Sequence, residues 1–186
     1  MDEAQALLER ALAIQKRGSG PVRSTVATTL NQLGVLAFQE KQYDAAKSYF
    51  NQAIETWKKL YGEQHPFIAT AISNLGSVCQ EQKDYSCAEK MYREAVRRFN
   101  SVSADSINVA IAHVKLGRTL LREERYSNAE EHMLAGYKYL VTHVPASNSY
   151  LIGSRKDLAA IYDGLHNTEM ASHYRAELSS VAASAP

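Results

Sequence analysis

A leucine followed by a very small residue recurs along this chain at a nearly constant spacing. The pair appears as Leu33-Gly34, Leu75-Gly76, Leu116-Gly117 and Leu158-Ala159, at steps of 42, 41 and 42 residues. Alanines keep the same steps at Ala4, Ala46, Ala88, Ala129 and Ala171. Two helices of about 16 residues and two short turns make about 40 residues. The period therefore predicts a stack of helix–turn–helix repeats, which limits the fold more than any other feature.

Helical spacing also governs the apolar residues within a repeat. Residues three and four apart line one face of the first helix at Val26, Leu30, Leu33 and Ala37, and of the second at Tyr43, Ala46, Phe50, Ala53 and Trp57. Pro66 suits a first helical position, and Ser106 and Ser149 are expected to cap the helices that follow them. No strand-like alternation is present, so the sequence predicts an all-α fold.

Glycines in the middle of the predicted first helices need an explanation. Gly34, Gly76 and Gly117 occupy the same place in three repeats, and glycine inside a helix costs about 1 kcal/mol relative to alanine. We expect each glycine to mark a close crossing, where the facing alanine of the second helix needs room.

These residues resemble the tetratricopeptide repeat. The first full copy reads Leu33-Gly34, Tyr43, Ala46, Phe50 and Ala53, the second is equally close, and the third and fourth are looser. The segment 61–70 and the long period resemble the 42-residue, kinesin-light-chain-like type of repeat. The resemblance implies a right-handed superhelical solenoid of antiparallel helix pairs, with about nine helices.

The repeat register predicts one array over residues 1–186. Helix pairs are expected at 24–61, 67–100, 107–143 and 149–181, followed by a tail at 182–186. Residues 1–17 align with a second helix that lacks its partner. We expect that the chain is excised from a longer protein, with a native N-terminal cap as the alternative. The acidic amphipathic start indicates neither a signal peptide nor a membrane span, so we expect a cytoplasmic protein.

In the family that these residues resemble, the first helices line a concave groove that holds peptides. Projected through the register, this groove would be lined by Asn31, Gln32, Thr70, Asn74, Ser77, Lys115, Arg118, Arg122 and Lys156. Asn74 takes the place of an asparagine that often grips a peptide in this family, and an amide can both donate and accept hydrogen bonds. The cations predict a partner that is acidic or carries a free C-terminal carboxylate. Alternatively, they are ordinary solvated helix charges.

Composition and motifs exclude most other functions. The formal net charge of +1 indicates no nucleic acid or anionic membrane as a partner. The six histidines lie scattered through different repeats, and Cys79 and Cys87 are expected to be reduced thiols in helices. No nucleophile elbow, phosphate-binding glycine loop or metal-binding motif is present. We therefore expect no enzyme activity, no cofactor and no metal.

The sequence favours a scaffold that recruits a protein or peptide through its groove. One alternative is self-association to a homo-oligomer through the apolar face of the N-terminal helix, formed by Leu7, Leu8, Ala11, Leu12 and Ile14. Another is a regulatory segment of a larger signalling protein.

Overall fold

The computed structural model describes residues 8–10, 12–13, 24–103 and 106–183. Residues 8–10 and 12–13 are helical, and the remaining described residues contain eight helices and no strand. The helices are α1 (Ser24–Gln39), α2 (Tyr43–Tyr61), α3 (Pro66–Glu81), α4 (Tyr85–Val102), α5 (Ile107–Arg122), α6 (Tyr126–His143), α7 (Ser149–Gly164) and α8 (Thr168–Ala183). The chain forms two compact units, residues 1–87 and 88–186, called here the first and second unit.

The turn inside each repeat has one conformation, repeated four times. Its middle residue is left-handed at Lys41, Lys83, Glu124 and His166, with φ of 61°, 61°, 58° and 58°. In the first copy, the backbone N–H of Gln42 donates to the Ala37 carbonyl at 2.8 Å. This bond closes the end of the first helix, as in a Schellman motif. So short a link makes the two helices antiparallel neighbours.

The starts of the first helices agree in part with the predicted caps. Pro66 is the first residue of α3, as predicted, and the His65 side chain accepts a hydrogen bond from the Phe67 N–H. Ser106 caps α5, also as predicted, by accepting from the Val109 N–H at 3.4 Å. The prediction for Ser149 was wrong. Asn148 caps α7 instead, and Ser149 is already its first residue.

Phe50, from α2, is at the centre of a core in the first unit. Its side chain is 1% exposed and packs in a cluster with Ala37, Ala46 and Val78. A Cβ added at Gly34 would lie 2.6 Å from the Phe50 ring. The glycine therefore makes room for an aromatic ring, and the expectation of a facing alanine was wrong at this position.

Backbone contacts join α5 and α6 in the second unit. A Cβ added at Gly117 would lie 2.9 Å from the Met133 nitrogen and 3.1 Å from the Ala129 oxygen. At Gly136 it would lie 2.5 Å from the Ala110 oxygen. Here the expected close crossing against the alanine of the second helix is confirmed. It leaves the two helices no room for even one methyl group at these points.

The prediction of reduced cysteines was wrong. Cys79, near the end of α3, and Cys87, in the first turn of α4, form a disulfide with a Cα–Cα distance of 5.7 Å. The compact turn reverses the chain between them, which brings residues eight apart in sequence face to face. Sequence spacing alone did not show this, because the geometry arises from the left-handed turn at Lys83.

The predicted self-association face lies in the first unit. Leu12 is only 8% exposed, Leu8 is partly buried, and Leu7, Ala11 and Ile14 lie outside the described residues. The Tyr49 hydroxyl of α2 donates to the Glu9 carboxylate at 3.4 Å. Among the described helices, none is both long and apolar enough to cross a bilayer.

Candidate functional site

In the first unit, the predicted groove residues lie on α1 and α3. Asn31, Thr70, Asn74 and Ser77 are partly buried and Gln32 is exposed. Asn74 Nδ2 donates to Asn31 Oδ1 at 3.4 Å, which joins the first helices of successive repeats. An amide has two N–H donors and two acceptor lone pairs. This bond therefore uses only part of the hydrogen-bonding capacity of each side chain.

In the second unit, the predicted cations lie on α5 and α7. Arg122 and Lys156 are exposed, whereas Lys115 and Arg118 are partly buried. The Arg118 Nε donates to Asp157 Oδ2 at 2.7 Å, and these side chains are 28% and 18% exposed. This ion pair joins the first helices of two successive repeats and was not predicted from the sequence.

The surroundings of Asp157 show how closely the cations gather. Burial raises the pKa of its carboxyl group, and the nearby charges of Arg118, Arg122 and Lys156 act in the opposite direction. Asp157 therefore neutralises part of a cationic surface and leaves a net positive charge on it.

A glycine of α7 makes room for this ion pair. A Cβ added at Gly153 would lie 2.6 Å from Arg118 Nη2. The guanidinium therefore extends over the backbone of α7 at the place where a side chain is missing. The sequence contained this signal, since Gly153 falls four residues before Asp157.

Lys115 has a different environment from the other three cations. Its Nζ lies 5.8 Å from the centre of the Tyr92 ring, a distance compatible with a cation–π contact. Burial lowers the pKa of the ammonium group to about 8, and repulsion from Arg118 contributes to the shift. Lys115 is thus a desolvated cation rather than a freely hydrated one.

Two histidines that the sequence analysis treated as scattered meet in the second unit, so that interpretation was wrong. Nδ1 of His113, on α5, lies 3.2 Å from Nδ1 of His132, on α6. Burial is the largest cause that lowers the pKa of both rings. The repeat register contained a signal, because His113 precedes Leu116 by three residues and His132 follows Ala129 by three. Within the described ranges, no group of three or more histidine, cysteine or acidic side chains is placed to hold a metal.

Comparison with known proteins defines the protein family to which the chain belongs. The sequence model of the tetratricopeptide repeat family matches residues 1–55 and 25–101, more than half of the chain. The chain therefore belongs to the tetratricopeptide repeat family. No curated protein matches the sequence.

Solved structures confirm the predicted fold class. The crystal structure of BtubC (BKLC) from P. vanneervenii is similar, with a TM-score of 0.87 and 17% identity, covering 98% of this chain and 73% of that one. The nearly identical TPR-like repeats of a kinesin-light-chain-type protein from Podosopora anserina give a TM-score of 0.75 at 16% identity, with 98% and 87% covered. The structure of PilF from Pseudomonas aeruginosa has a TM-score of 0.66 and 18% identity, covering 96% of this chain and 67% of that one. At these identities, the likeness concerns the fold.

The chain thus has the fold of kinesin-light-chain-like repeats, as the period predicted. Repeats of this family build scaffolds for protein interaction, and this chain is such a scaffold.

Proposed function

We propose that the chain recruits a partner protein by holding an extended peptide segment of it against the first helices of the repeats. The observation that supports this best is the hydrogen bond between Asn31 and Asn74, which places two amides side by side on successive first helices. An extended peptide presents backbone N–H and C=O groups along both of its edges. Amide side chains can pair with both kinds of group, and the hydroxyl and amide groups of Gln32, Thr70 and Ser77 extend the same polar surface.

The second unit adds a preference for charge. Three cations, Arg118, Arg122 and Lys156, surround the single carboxylate of Asp157, and Lys115 is close enough to Arg118 to feel its charge. The surface therefore favours acidic residues or a free C-terminal carboxylate. Charge-assisted hydrogen bonds from arginine to a carboxylate are roughly twice as strong as neutral ones. We expect micromolar affinity, because an extended peptide loses much conformational freedom when it docks.

A capture experiment with matched variants tests the proposal. The wild-type chain would be compared with Asn74→Ala and Arg118→Ala as baits in lysate of the source organism, and captured proteins would be identified by mass spectrometry. Peptides from each captured protein would then be titrated by fluorescence anisotropy. We expect both variants to bind these peptides at least about tenfold more weakly, which corresponds to 1.4 kcal/mol.

Two substitutions on second helices serve as controls. Asn51→Ala removes an exposed amide of α2, and Arg97→Ala removes an exposed arginine of α4 that is ion-paired with Glu94. Both controls should bind like the wild type. Equal weakening in controls and test variants, or no weakening in the test variants, would show that the partner binds elsewhere. Loss of binding together with a lower unfolding temperature would indicate a folding defect.

A further inference from the structure

The contact between His113 and His132 has a geometry that a metal ion would use. The two rings approach from different helices, with centroids 5.3 Å apart and planes inclined at 38°. Their Nδ1 atoms are 3.2 Å apart. Zinc binds imidazole nitrogen at about 2.0–2.1 Å in tetrahedral geometry, which puts two ligand nitrogens about 3.3–3.4 Å apart. The pair is therefore within about 0.2 Å of the separation required for both nitrogens to bind one ion.

We propose that His113 and His132 form a two-histidine chelating site for a divalent transition metal ion, namely Zn²⁺. Histidine is the commonest protein ligand for such ions. The described residues supply no third histidine, cysteine or carboxylate in ligand position. Water, or a side chain of a bound partner, completes the coordination sphere, as in zinc sites that keep an open position.

The helix pair that carries the site is held rigidly. Gly117 packs against the backbone of Ala129 and Met133, and Gly136 packs against that of Ala110. His113 lies between Ala110 and Gly117 on α5, and His132 is next to Met133 on α6. The backbone contacts therefore lie close to both ligands along the helices. A site built on packed helices keeps its ligand distances better than one on a loop, so less ordering is needed on binding.

The electrostatic surroundings also suit a cation. Burial holds the pKa of both histidines below the ordinary value, which keeps the rings in the neutral form that coordinates metals. The negative charge of Glu131 raises the pKa of both histidines, and that of Glu89 raises the pKa of His132, so both carboxylates favour positive charge at the site. Arg93 opposes them at His132. Because Glu89 is ion-paired with Arg93 and Arg125, Glu131 is the carboxylate that most favours a cation at His132.

The alternative is that the pair is only a hydrogen bond, in which one ring donates its Nδ1–H to the other. Both explanations account for the short distance, but they differ in solution. A hydrogen-bonded pair has no reason to bind zinc better than any other histidine on the surface. A chelate requires both rings together, because the second nitrogen binds at a high effective concentration once the first has bound.

Zinc titration of the whole chain distinguishes these explanations. Isothermal titration calorimetry with Zn²⁺ would be run in a metal-free, non-reducing buffer that preserves the Cys79–Cys87 bond. Wild type would be compared with His113→Gln, His132→Gln and the matched control His166→Gln, which changes an exposed histidine of the same unit. We expect each of the first two changes to weaken the tightest zinc site at least about tenfold, because a bidentate site becomes monodentate. The control should bind zinc as the wild type does.

Nitrogen NMR of the histidine rings in the wild type keeps the test decisive if a variant folds poorly. On zinc addition, the Nδ1 resonances of His113 and His132 should move together and saturate at one equivalent. Movement of only one of the two, or a titration equally affected by all three substitutions, would overturn the proposal.

Discussion

Lys115 and Arg118 lie one helical turn apart on α5, yet the structure gives their charges different surroundings. Arg118 is paired with Asp157 at 2.7 Å. Lys115 lies near the Tyr92 ring, where burial lowers its pKa to about 8. A projection of positive residues onto one helix face treats the two as equivalent. Their chemistry differs because one has a carboxylate partner and the other mainly loses water.

We predict that Lys115 titrates near pH 8. In the unfolded chain its pKa has the ordinary lysine value of 10.5, so between pH 8 and pH 10.5 the unfolded state binds more protons than the folded state. The contribution of Lys115 to the free energy of unfolding therefore increases with pH across this window. Below pH 8 the lysine is charged in both states, and the cost of burying that charge is fully present.

Carbon NMR of ¹³C-labelled lysine measures this titration directly. One lysine side-chain signal should titrate near pH 8, and the same signal should be missing from Lys115→Met. If the signal that disappears in Lys115→Met titrates above about pH 10, as a hydrated lysine does, Lys115 is hydrated and the prediction fails.

At the scale of helices, small residues decide how closely a pair packs. Gly34 accommodates the Phe50 ring, Gly117 meets the backbone of α6, and Gly153 lies under Arg118. All three are glycines in first helices, but their neighbours differ in how far they can move. Backbone cannot give way easily, whereas the end of an arginine side chain can.

Alanine substitution at two of these glycines should therefore affect the free energy of unfolding differently. Gly117→Ala places a methyl group 2.9 Å from the Met133 nitrogen, and we expect a loss of about 1–3 kcal/mol in the free energy of unfolding. Gly153→Ala meets only the end of the Arg118 side chain, which can move. The higher helix propensity of alanine should therefore leave stability unchanged or raise it by up to about 1 kcal/mol. Urea unfolding of both variants beside the wild type measures this difference. Equal stability of the two would contradict the backbone crossing described for α5 and α6.

For the whole molecule, the question is whether the chain works alone or as an oligomer. The N-terminal face offered for self-association includes Leu12, which is 8% exposed within a single chain. A side chain already covered by its own chain has little area left to bury against a second copy. This observation favours the recruiting scaffold over the self-association alternative.

We predict a monomer in solution. Light scattering after size exclusion should give a mass near 20.7 kDa over a wide range of concentrations. Leu12→Ser should lower the unfolding temperature without changing that mass, because it removes intrachain packing. A concentration-dependent dimer that is lost in Leu12→Ser would instead support the self-association alternative.

The amino-acid sequence by itself determined the repeat, the helical class and the family. These features depend on local signals, such as Pro66 at a helix start and Ser106 at a cap, and on columns of residues that recur with one period. Such signals can be read from the amino-acid sequence because a helix places residues three and four apart on the same face.

Apart from the close crossing at Gly117, the contacts between helices were decided only by the tertiary structure. Three side-chain pairs join different helices: Arg118 with Asp157, His113 with His132, and Cys79 with Cys87. The period gives each residue a place on its own helix, but it does not give the rotation of that helix against its neighbour. That rotation follows from side-chain packing at a few small residues, where a difference of one methyl group changes which atoms can meet.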